Sequence, residues 1–142
     1  MFDIESRKIH TRNIIMFFKN ELYKINPNHI INGFIIFLIH WIACTIPCLI
    51  ILIGNINIYF YISCMWWGLV VCAHFYFKGC ILTRIERELW QDTTWVGPWV
   101  IPFTFIERFG INITPNLTEN IFICWGIILT TFVFLKLLCK ND

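Results

Sequence analysis

His40, Cys44 and Cys48 recur at i, i+4 and i+8 within an uncharged apolar run, which places one imidazole and two thiols on a single helix face. His and Cys are borderline-to-soft donors, so such a face has the chemistry to hold copper, zinc or haem iron. His74 and Cys124 supply two further donors in other apolar runs, and Cys80 follows His74 closely. Depth separates these groups. Counted from one side of a membrane at about 1.5 Å per residue, His40 lies ~15 Å deep and His74 ~5 Å. His40 is instead level with Gly68, where a missing side chain lets helices approach closely. His40, Gly68 and His74 therefore read as positions of a helix seam, with a neutral histidine donating across it. His74, Cys124 and Cys80 share a level near one face and read as a weak polar cluster. No metal or cofactor is expected. H-E-x-x-H, C-x-x-C, G-x-S-x-G and glycine-rich phosphate loops are missing from the chain, and so are the paired intramembrane carboxylates of a proton-coupled relay. Three spans are also few for a transport path within one chain.

A second chemistry-bearing stretch runs Gly79-Cys80-Ile81-Leu82-Thr83-Arg84-Ile85-Glu86-Arg87-Glu88-Leu89-Trp90. Thr83-x-x-Glu86 has the spacing of a capping box, in which the hydroxyl accepts from the Glu86 N–H and the carboxylate reaches back to Thr83. Ile85 and Leu89 lie one turn apart, while Arg84, Arg87 and Glu88 point elsewhere. The expectation is a short interfacial helix whose start, Cys80, Thr83 and Glu86, is a structural corner rather than a catalytic group. The run from Trp67-Gly68 through His74 to Cys80-Ile81-Leu82-Thr83-Arg84-Ile85-Glu86 resembles the core of small multi-span membrane proteins with a C-x-L-T-x-x-E motif. One such group is a bacterial family of unknown function, with Cys-Pro-Leu-Thr and a following Glu; this chain has Ile81 where that group has Pro. Similar small membrane proteins occur among large DNA viruses. The likeness covers about a sixth of the chain and implies a membrane protein with no activity attached. Richness in Ile, Asn, Phe and Lys fits an A/T-rich genome, as in many such viruses or in protist organelles.

Elements that must position these residues follow from composition. The chain has 142 residues, of which 58% are apolar and 18% aromatic, with 14 Phe and 7 Trp. Only 14% are Asp, Glu, Lys or Arg, against about 25% in soluble domains. Mean hydropathy is +0.67, and a chain this short cannot hide so much apolar surface in a core of its own. An integral membrane protein follows, and intrinsic disorder and a disulfide-stapled secreted module are excluded. Seven cysteines, mostly inside apolar runs, read as reduced packing residues.

Three uncharged or nearly uncharged runs are long enough to span: 30–53, 58–77 and 121–139. Lys136 near the end of the third is expected to snorkel to the headgroups. Gly54-Asn55-Ile56-Asn57 is the tight hairpin between the first two. Residues 96–106, with Pro98 and Pro102, suit a re-entrant or interfacial segment better than a fourth crossing, which is the alternative. Ile14, Ile15, Phe18, Leu22 and Ile25 recur at helical spacing beside Arg12, Lys19 and Lys24. That pattern makes residues 1–29 an amphipathic segment suited to a membrane surface or to a neighbouring subunit, ended by Asn26-Pro27. Lys19 and Glu21 interrupt it, so it does not read as a secretory signal. The expected fold is an all-α integral membrane protein. It has three transmembrane helices, an amphipathic N-terminal helix and an interfacial helix after span two, with 30–142 as one transmembrane domain.

Lys and Arg concentrate before span one and in the 78–120 connection, while the hairpin has none, which places both basic regions on the cytoplasmic or interior side. Trp90, Trp95 and Trp99 cluster there as interfacial anchors. Two sequons, at Asn112 and Asn116, then face the same side and stay unmodified. A net charge of +2 gives no basic stripe for nucleic acid. From sequence alone the expected function is a non-enzymatic structural or assembly subunit of a membrane complex, in a virion or organelle membrane, with lipid and other subunits as partners. The alternatives are a small redox or metal-binding membrane protein using intramembrane His and Cys, and a channel formed by oligomers.

Overall fold

The computed structural model describes residues 4–98, 101, 109–110 and 114–139. Its elements are five helices, α1 (Ile4–Ile25), α2 (His29–Ile53), α3 (Ile58–Phe77), α4 (Ile81–Trp90) and α5 (Pro115–Cys139), and no strand occurs among the described residues. α2, α3 and α5 are long and apolar enough to cross a membrane. A lipid-facing backbone must satisfy its own polar groups, and the helix does so within one segment. The expected spans are therefore present. α5 starts six residues before the apolar run, because Thr114 caps a polar first turn through its Oγ1, which accepts from Leu117 N–H at 3.2 Å, and proline is favoured at that first helical position.

The starts of α2 and α3 share one device. Asn28 Oδ1 accepts from the N–H groups of Ile30 (2.9 Å) and Ile31 (3.4 Å) at the start of α2. Asn57 Oδ1 does the same for Tyr59 (3.0 Å) and Phe60 (3.2 Å) at α3. Both satisfy first-turn donors that have no intrahelical acceptor. α1 ends at Ile25, just before Asn26-Pro27.

Two compact units divide the chain: Met1–Trp41 with Ala73–Ile101, and Ile42–Cys72 with Pro102–Asp142. In the first, buried Ile36 of α2 packs with Ile85 and Leu89 of α4, flanked by Ile15 and Leu22 of α1 and by Ile81 and Leu82. The apolar stripe expected on the N-terminal helix thus covers α4 with Ile15 and Leu22, and a Lys19–Glu88 ion pair at 3.0 Å fastens its rim. α4 lies antiparallel to the first half of α2. The His29 ring donates from Nδ1 to Leu89 O (2.9 Å), and Trp90 Nε1 donates to Ile30 O (3.3 Å). Eleven residues along α2, His40 meets Glu86 and Cys80 at the other end of α4. The helix expected at the interface therefore runs back along α2.

The second unit has a core of Cys48, Ile51, Phe60, Trp67 and Leu129. Pro47 lies inside α2 and has no N–H for the Ala43 carbonyl one turn back; Trp66 Nε1 donates to that carbonyl at 2.9 Å instead. Lys136, near the end of α5, reaches back to the end of α2. Its Nζ donates to Ile51 O (3.0 Å), Leu52 O (3.4 Å) and Gly54 O (2.5 Å) and sits over the Phe60 ring at 5.4 Å. A cation from α5 thus closes the carbonyl end of α2, where the helix dipole favours positive charge.

Candidate functional site: a buried Cys-His-Glu array

The chain leaves α3 through two residues in the left-handed region, Lys78 (φ 52°) and Gly79 (φ 123°), and enters α4 at Cys80. Arg84 braces this corner by donating to the carbonyls of Phe77 and Lys78, both at 2.8 Å. Cys80 is the N-cap of α4 and makes no side-chain cap bond. Thr83 is therefore three positions into the N-cap sequence rather than the cap itself, which corrects the expected capping box. The physical reason lies in α4's apolar stripe. Leu82, Ile85 and Leu89 turn toward α1 and α2, and Glu86, on the same stripe, is carried inward with them.

A carboxylate on a buried stripe needs donors, and two reach it. His40 Nδ1 lies 2.8 Å from Glu86 Oε1, and Trp95 Nε1 donates to Oε2 at 2.5 Å. Glu86 is 0% exposed and His40 1%. Since a carboxylate only accepts, Nδ1 of His40 carries the proton. The opposite ring nitrogen, Nε2, faces Cys80 Sγ at 3.2 Å. The order thiol, imidazole, carboxylate is that of a nucleophile, its base and the group that orients the base. Trp95 arrives because α4 stops at Gln91 in the left-handed region (φ 57°). Asp92 Oδ1 then accepts from Thr94 N–H (2.8 Å) and Oγ1 (2.6 Å), and Arg87 Nε donates to Trp95 O. The rings of Phe37, Trp90 and Trp95 pack on one another, with centroids 5.2–6.1 Å apart.

Burial acts against a Cys80 thiolate. The hydrogen bond and charge of His40, with the backbone N–H and hydroxyl of Thr83, outweigh it and hold the thiol below its ordinary value of 9.0. The α4 N-terminus adds a favourable field for an anion at the same place. The Thr83 side chain is buried, and its Oγ1 meets no nitrogen or oxygen partner. Cys80 itself is partly exposed, and all seven cysteines are free thiols. Among the described residues, no group of three or more His, Cys, Asp or Glu is arranged to hold a metal ion.

Other expected positions fall elsewhere. Gly68 has open space where a Cβ would stand among the described residues. The close approach is at Gly33, where a Cβ would lie 2.1 Å from Trp90 Nε1. His74 rests edge-on against Phe75, with ring centroids 6.4 Å apart. Cys124 is exposed. Trp90 and Trp95 pack edge to face with ring centroids 5.2 Å apart, and Trp95 reaches Glu86. Trp99, Asn112 and most of 96–106 lie outside the described residues. Comparison with protein-family models, with curated proteins and with solved structures finds no match to this chain.

Proposed function

We propose that this multi-pass membrane protein works through the Cys80 thiol, with Cys80 as the nucleophile, His40 as its base and Glu86 as the residue that orients and charges His40. One observation carries the reading: His40 stands between Cys80 and Glu86 with a ring nitrogen 3.2 Å from the sulfur and the other 2.8 Å from the carboxylate. A thiol used only for packing needs neither. The imidazole takes the thiol proton, the carboxylate stabilises the imidazolium, and the thiolate at the start of α4 is the reactive species.

Alkylation by iodoacetamide in detergent micelles, mapped by peptide mass, tests it. Cys80 should react at neutral pH faster than in the unfolded chain, as expected for a lowered thiol pKa. His40→Gln should remove that advantage. A Cys80 no faster in the folded than in the unfolded protein would contradict the proposal.

A second reading is favoured by the closure of the array, in which both Glu86 oxygens are engaged. There the same bonds serve to lock α4 onto α2, and the chain is a non-enzymatic assembly subunit whose partners are lipid and other subunits of a membrane complex, in a virion or organelle membrane. Under that reading Cys80→Ser incorporates normally with full function. Under the thiol reading it incorporates and function is lost.

A further inference from the structure

Thiolates attack disulfides, saturated carbon and carbonyls, and only the last reaction builds negative charge on an oxygen beside the sulfur. The surroundings of Cys80 are furnished for such an oxygen. α4 is a ten-residue helix whose N-cap makes no side-chain bond to its first turn. The N–H groups of Ile81 and Leu82 have no intrahelical acceptor by the geometry of a helix start, and the positive end of the dipole lies there. Beside them Thr83, only 6% exposed, holds a hydroxyl that meets no oxygen or nitrogen partner, next to the sulfur whose thiolate it favours. A disulfide or an alkyl electrophile has no use for these donors.

Resting on the thiol reading above, we infer that Cys80 accepts acyl groups, with the Thr83 hydroxyl and the first N–H groups of α4 binding the oxyanion of the tetrahedral intermediate. The array stands beside the middle of α2, about 16 Å along its axis from His29, on a helix with exposed Phe34, Leu38, Ile39 and Trp41. An acyl group that reaches it travels in an apolar phase, so the substrate class is a long-chain acyl ester or thioester. In the step, the Cys80 sulfur bonds to the carbonyl carbon as its proton passes to His40 Nε2. The carbonyl oxygen takes up the electron pair of the former double bond and rests on the donors. Collapse restores the carbonyl, breaks the bond to the leaving alcohol or thiol, and His40 returns the proton to it. The product is an S-acyl Cys80, with no change of oxidation state.

The test incubates the purified full-length protein with palmitoyl-coenzyme A in one arm and with phosphatidylcholine vesicles in the other. The readout is a hydroxylamine-labile mass increment on the Cys80 peptide; iodoacetamide alkylation is measured in parallel. Acylation by either donor, absent in Cys80→Ser, supports the inference, and the arm that works names the source. Thr83→Val should slow acylation about 10- to 100-fold more than it slows alkylation, because alkylation forms no oxyanion, and Thr83→Ser should restore acylation. Fast alkylation without acylation by either donor would overturn the inference while leaving the thiol reading intact. Equal slowing of both reactions by Thr83→Val would assign Thr83 to thiolate stabilisation alone and also overturn it. Slow wild-type alkylation would overturn both.

Discussion

Replacing Glu86 by Gln removes one charge and changes almost no volume, so its effect isolates the carboxylate. A carboxylate accepts from His40 and from Trp95 on separate oxygens. An amide has one oxygen and one NH2 group, so it accepts from one donor and presents a donor to the other. One charge-assisted bond, about 1.5–3 kcal/mol, is lost, and a buried N–H is left unmatched. The expected cost of Glu86→Gln is about 2–4 kcal/mol. Glu88→Gln is the control: Glu88 is half exposed and pairs with Lys19 at the rim, a contact of about 0.2–1 kcal/mol. Reversible unfolding in mixed micelles, followed by tryptophan fluorescence, reads both. A cycle with His40→Leu and Glu86→Leu separates pair from parts. Each single change leaves a buried polar partner and should cost about 3–5 kcal/mol, while the double change should cost much less than the sum. Glu86→Gln no costlier than Glu88→Gln, or additive leucine substitutions, would refute the buried two-donor carboxylate.

Lys136→Met should destabilise the protein by about 2–3 kcal/mol in the same assay, because three carbonyls at the end of α2 lose a charged donor; a change within about 0.5 kcal/mol would contradict these contacts. Gly33→Ala should displace the Trp90 indole, shift tryptophan emission and cost about 1–3 kcal/mol. Gly68→Ala, with nothing within 4 Å of the new methyl group, should leave stability and emission unchanged, and equal effects at the two glycines would contradict the placement of Trp90.

The three spans were legible because an uncharged run of 20 or more residues has few other fates, and Asn57 and Pro27 mark boundaries by chemistry that acts locally. The start of α5 was less so, since hydropathy marks the part of a helix that meets lipid and not its polar first turn. Each member of the array was visible as a residue, and their meeting was not. Counting depth along straight spans set His40 about 15 Å from one side and did not connect it to Glu86, which the sequence placed on an interfacial helix. The meeting follows from α4 running back along α2. A signal for this was present: Leu82, Ile85, Glu86 and Leu89 fall at i, i+3, i+4 and i+7, so the carboxylate sits on the apolar stripe. A carboxylate there requires a buried donor, and His40 and Arg side chains are the candidates. The Lys136 contact was not legible either, because hydropathy does not show which helix end, here 82 residues away in sequence, a lysine reaches.

The pH dependence of Cys80 alkylation bears most directly on the array. His40 faces the sulfur from α2, Thr83 and Arg84 adjoin it from α4, and Glu86 stands behind His40. Together they favour the thiolate, so the alkylation rate should fall off at a pH below the ordinary thiol value of 9.0. The rate of the Cys80 peptide, measured across pH in the folded wild-type protein, should show a midpoint below 9.0 that moves upward in Glu86→Gln and further in His40→Gln. A midpoint at or above 9.0 in the wild type, unmoved by either substitution, would contradict the account.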